Sequence, residues 1–97
     1  MQIIKRDRYI SELQDIMGFI AKDSIDRALK FEDDIEEKLN NLPTMPYKFR
    51  QSIYFDDKQI RDLIFKGYVV PYLIDKQNNI IAILGINKYK KFLNKDI

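Results

Sequence analysis

The 97-residue chain contains no histidine and no cysteine, so any acid–base or electrostatic chemistry falls to Lys, Arg, Tyr, Asp and Glu. Ser-His-Asp and Cys-His nucleophilic machinery is excluded. Disulfides and histidine-ligated zinc are excluded with it. Three groupings of the remaining residues are candidates for chemistry. The run Lys88-Tyr89-Lys90-Lys91 places an aromatic among cations, which suits nucleic acid or an acidic partner, or plain solvation. Arg61, within IRDLIF, fits a phosphate contact, or equally a solvated or Asp-paired arginine. The acidic run Glu32-Asp33-Asp34 with Glu36-Glu37 has the oxygens for a divalent ion, but on a regular helix it reads as the wet face. No metal site and no cofactor are expected.

The charge is unevenly divided. Residues 1–48 hold eight Lys/Arg and ten Asp/Glu, whereas residues 49–97 hold nine and five. A basic second half points to an anionic partner, or to an ordinary lysine-rich surface. With 45% apolar and 33% charged residues the composition is that of an ordinary globular protein, and the length fits one domain over residues 1–97. No apolar run approaches the roughly eighteen residues of a transmembrane helix. MQIIKRDRYISEL has only a short apolar patch before charges begin, too little for a signal-peptide core. A cytoplasmic protein fits these features.

The elements that position these residues follow from the periodicity. Gln2–Arg8 reads as a short first strand. Ser11 and Gln14 form an S-x-x-Q capping box, so a helix over Ser11–Lys22 is expected, burying Leu13, Ile16, Met17 and Ile20. A second helix over Ser24–Leu42, capped by Asp23 or Ser24, is expected to bury Ile25, Ala28, Leu29, Ile35, Leu39 and Leu42. The break between them is short enough for an antiparallel helical hairpin. Phe49, Ile53 and Phe55 alternate with polar residues in a short extended segment. Arg61–Phe65 and Tyr68–Ile74 flank Lys66-Gly67, a two-residue hairpin turn. Asn78-Asn79 reads as a second turn and Ile80–Ile86 as a central strand. The tail NKYKKFLNKDI reads as a basic helical turn.

Tyr68 and Tyr72 share one face of their strand, where packing against the helices is expected. Pro71 lies between them without an amide N–H, which predicts a bulge or a position that uses only its carbonyl. The resulting fold class is α+β. An N-terminal strand, the antiparallel helical hairpin and then an antiparallel β-meander follow in order, with the helices on one sheet face and the other face open as a working surface.

The order of elements, with IRDLIFKGY, YVVPYLID and NIIAILGI, resembles the RelE/ParE superfamily of toxins from bacterial type II toxin–antitoxin systems. The motif Tyr68-x-x-x-Tyr72 is the best-matching part, and the resemblance spans nearly the whole chain. It implies a growth-inhibiting toxin neutralised by a cognate antitoxin, which docks on the two helices and the sheet edges. One branch of the superfamily inhibits DNA gyrase; the other is a ribosome-dependent mRNA endonuclease, a metal-independent enzyme. For the nuclease branch, the resemblance assigns Arg50, Arg61 and Lys88 to catalysis, with Lys48 beside them. Lys48, Lys66, Tyr89, Lys90 and Lys91 are then contacts to the nucleic acid or another target. Ile64, Phe65 and Lys66 stand where that branch has an arginine before the hairpin tyrosine, and Tyr89 where it has His or Arg. The resemblance therefore leans to the ParE branch, with the nuclease, or an inactive binding module, as alternatives.

Overall fold

The computed structural model describes residues 1–88. The order is β1 (Gln2–Lys5), α1 (Asp7–Ala21), α2 (Ile25–Asn40), a 3-10 turn (Leu42–Thr44), β2 (Ile60–Phe65), β3 (Tyr68–Asp75), β4 (Ile80–Ile83) and β5 (Asn87–Lys88). The strands form one mixed sheet in the order β1-β4-β3-β2, with β5 also on β3. β2, β3 and β4 make the antiparallel meander, while β1 joins β4 in parallel. A parallel neighbour requires a long crossover, and the two helices provide it.

Alternation along each strand decides what the helices cover. Leu63, Phe65, Val70, Tyr72, Ile74, Ile81 and Ile83 point to one face and share a core with Tyr9 and Leu13 of α1 and Phe31, Ile35 and Leu39 of α2. Phe31 meets both Phe65 and Tyr68 edge-to-face, with ring centroids 5.3 and 5.4 Å apart. The expected helix-side packing of Tyr68 and Tyr72 is therefore observed. The opposite face is not fully open. Val69, Pro71 and Ala82 are buried at its centre, and only marginal positions such as Ile4 and Ile64 are exposed.

The helix boundaries correct two expectations. α1 begins at Asp7, so Ser11 lies exposed inside the helix and its capping box is not used. A cap contributes about 1 kcal/mol, less than the roughly 2 kcal/mol gained by burying a large side chain. The earlier start buries Tyr9 completely, one turn before Leu13. In α2 Ser24 is the N-cap, its hydroxyl accepting the Arg27 N–H at 3.2 Å. The buried stripe, however, runs through Ala28, Phe31, Ile35 and Leu39, leaving Ile25 and Leu29 exposed.

The strand region brings two further corrections. No strand forms over residues 49–55; Gln51 makes only an isolated bridge to Arg61. The central strand ends at Ile83, three residues short of Ile86. The two turns form where expected. Lys66 (φ 48°) and Gly67 (φ 82°) are both left-handed, as a type I′ hairpin requires, and Asn79 (φ 56°) closes the second.

Pro71 has both features expected of it. β3 pairs Tyr72 with Ile83 and Val69 with Asn87, so three steps on β3 face four on the other strand. That extra residue is a β-bulge. The Pro71 carbonyl accepts the Leu84 N–H at 2.9 Å, and a missing donor is harmless where the ladder is already interrupted.

Candidate functional site

Residues 46–53 carry the basic candidates Lys48 and Arg50 yet have no regular structure, so side chains must hold them. Tyr72, fully buried on β3, donates its hydroxyl to the Pro46 carbonyl at 2.7 Å. Burial pushes that phenol up to about 12, so it remains a donor across the neutral range. Its ring packs edge-on against Phe49. Arg61 donates from Nη1 to the Phe49 carbonyl at 3.2 Å, and its guanidinium lies 4.8 Å from the Tyr47 ring centroid. Lys76 places its ammonium 5.1 Å from the same centroid. Tyr47 in turn donates to Gln59 Oε1.

Asp62 secures the next part of the loop. It is 1% exposed; its Oδ2 accepts the Ile53 N–H at 3.2 Å and lies 3.5 Å from the Arg50 guanidinium. Two backbone bonds run alongside, from Ser52 N–H to the Ile60 carbonyl and from Asp62 N–H to the Arg50 carbonyl. Lys48 remains exposed, its ammonium 5.6 Å from the Phe49 ring centroid. Beside it lies a cleft of about 250 Å³ lined by Lys38, Leu42, Met45, Lys48 and Phe49.

The other basic candidates lie at the far end of β2. Lys66, in the hairpin turn, donates to Asp34 of α2 at 2.8 Å. That contact, followed by Lys30, holds the Asp34 carboxyl below its ordinary range. Lys88 pairs with Tyr68 across the sheet and lies 6.0 Å from the ring centroid of Phe19 on α1. A groove of about 350 Å³ opens there between Glu12, Phe19, Tyr68 and Lys88. Phe19, Ile25 and Leu29 leave a row of exposed apolar side chains on the helical hairpin, at 64%, 68% and 51% exposure. Tyr89, Lys90 and Lys91 lie outside the described residues.

The candidates therefore form two groups. Arg61 pairs with Tyr72 and Lys88 with Tyr68, four residues apart on β3, a separation of about 13 Å at the usual rise. Arg50 meets Asp62, whose side chain leaves the face opposite to that of its neighbour Arg61. Arg50, Arg61 and Lys88 are thus not brought around one point. Sequence reasoning missed Tyr47, Asp62 and Lys76; an aromatic inside the basic loop PYKFR was the available signal for Tyr47. Among the described residues no group of three or more His, Cys, Asp or Glu is placed to hold a metal ion. No helix among them is long and apolar enough to cross a membrane.

The family model for the ParE toxin of the type II toxin–antitoxin system, parDE, matches residues 3–91. The chain belongs to the ParE toxin family. The superfamily expected from the sequence, and the lean to its ParE branch, are both borne out. Among solved structures the chain is similar to one described as the chromosomal ParDE TA system from P. aeruginosa, at 20% identity and a TM-score of 0.74. The match covers 91% of this chain and 95% of that one, and at this identity it is a likeness of fold. Among curated proteins, none matches the chain. The strand, helical hairpin and mixed sheet described above are thus the ParE-like fold.

Proposed function

We propose that this ParE-family chain is a cytoplasmic toxin that inhibits DNA gyrase and is neutralised by a cognate antitoxin. The observation carrying the reading is the family match over residues 3–91. The separation of the basic side chains supports the choice of target. RNA cleavage without a metal needs cationic groups converging on one phosphate as charge develops. Here Arg61 and Lys88 pair with β3 four residues apart, and Arg50 meets a buried Asp. The cations suit contacts to an anionic protein–DNA target better than catalysis at one point. The antitoxin's docking surface is the helical hairpin, where exposed Phe19, Ile25 and Leu29 offer apolar anchors.

The test adds the purified protein to a gyrase supercoiling reaction and, separately, to a reconstituted translation reaction with mapped transcript ends. Loss of supercoiling with intact transcripts is the expected result. Ribosome-dependent cuts inside codons would overturn the target and restore the nuclease alternative. Expression that arrests neither growth nor supercoiling would leave an inactive binding module.

A further inference from the structure

Glu12 belongs to α1, but its carboxylate serves the sheet. Oε1 accepts the Ile86 N–H at 3.1 Å and Oε2 accepts from the Asn87 carboxamide at 2.5 Å. Arg8, one turn earlier, lies 3.5 Å from Oε1. These bonds fall where the bulge opposite Pro71 interrupts the ladder between β4 and β5. Ile86, itself buried, has an amide that no strand faces at that point, and an unsatisfied buried N–H is costly. The carboxylate takes the place of the missing strand.

Gly85 leaves room for the same carboxylate oxygen. A Cβ built there would stand 2.6 Å from Glu12 Oε1, closer than real Cβ contacts allow. The glycine is needed for this approach rather than for an unusual backbone, since its φ lies outside the left-handed range. Glu12 and Gly85 therefore form a matched pair.

We propose that Glu12 is a positioning residue, a side-chain strand surrogate that fixes where β5 leaves the bulge and so where Lys88, the first cation of the Lys88–Lys91 run, is presented. Its consequence for toxicity rests on the toxin reading above; the latch itself does not.

The test uses Glu12→Ala, Glu12→Gln, Gly85→Ala and the Glu12→Ala/Gly85→Ala double variant. Amide exchange at Ile86 is followed by NMR, with Val70 and Ile81 in the core as controls. Glu12→Ala is expected to speed Ile86 exchange about tenfold or more while the controls hold. Glu12→Gln keeps a carbonyl oxygen for the amide and restores most of the protection. Gly85→Ala lowers the melting temperature in the wild-type background but far less in the Glu12→Ala background, where the clash is gone. Growth arrest is lost with Glu12→Ala and rescued by Glu12→Gln. Unchanged Ile86 exchange in Glu12→Ala, or an equal Gly85→Ala penalty in both backgrounds, would overturn the latch. Full growth arrest by Glu12→Ala would overturn its positioning role. A wild-type protein that does not arrest growth would sink the toxin reading, while exchange and the double-variant comparison still decide the latch.

Discussion

The two ends of β2 both carry cations, and they hold them in different ways. At the Arg61 end the loop 46–53 lacks regular structure but is fixed from inside: Tyr72 and Asp62 are buried, and each bonds a backbone group of the loop. At the Lys66 end a regular hairpin presents a lysine held at the surface by Asp34, its ammonium 5.3 Å from the Phe65 ring centroid. Regular secondary structure and tight side-chain positioning are thus separate properties. Buried polar groups that bond the backbone of a loop position it more firmly than an exposed ion pair positions a turn residue.

The largest effect should come from Asp62→Ala, which removes the acceptor of the Ile53 N–H and the partner of Arg50 from a buried site. A loss of about 3 kcal/mol is expected in chemical denaturation. Asp62→Asn, which keeps one carbonyl oxygen, should cost clearly less; equal costs would mean that the loop is not held through Asp62.

Next comes Tyr72→Phe, which leaves the Pro46 carbonyl without its donor and should cost about 1.5 kcal/mol. Because burial raises this phenol to about 12, its contribution is complete below the ordinary tyrosine range and is lost as pH rises through the folded value. The alkaline fall in the denaturation midpoint should therefore be shallower in the variant. Part of the fall will remain, since burial also raises Tyr9.

Gly67→Ala tests the hairpin end. At φ 82° an alanine is strained, and about 1 kcal/mol is expected, read as a lower melting temperature. A neutral result would show that the turn relaxes to another type.

The smallest effect is that of Lys66→Ala. Its pair with Asp34 should be undetectable in the denaturation midpoint at high salt. The visible change is in titration, where the Asp34 carboxyl, held low first by Lys66 and then by Lys30, moves back toward its ordinary range. The sign is fixed: the pair's contribution is present above the ordinary Asp range and lost as pH falls through the lowered value. An NMR titration of Asp34 in both proteins checks it. A large stability loss would erase the contrast between the two ends.

Local chemistry made much of the fold legible from the sequence. Ser24 as a cap, Lys66-Gly67 and Asn78-Asn79 as turns, and Pro71 as a bulge marker each depend on a few neighbouring residues. The alternation of β3 and the apolar run of β4 were readable for the same reason. The start of α1 was not, because Ser11 carries a valid local signal that the burial of Tyr9 overrides. Nor was the loop 46–53, where apolar alternation imitates a strand but the backbone pairs only at Gln51.

The candidate site divides in the same way. Sequence alone identified the cations, excluded histidine and cysteine chemistry, and gave the order of elements that marks the family. Only the tertiary structure placed Arg61 and Lys88 four residues apart along β3 and paired Arg50 with Asp62. It alone set Glu12 against Ile86, 74 residues away. Turns and caps are decided by short-range sterics and hydrogen bonds written in adjacent residues. The partner of a half-buried carboxylate such as Glu12 is decided by which distant backbone groups the packing leaves unsatisfied.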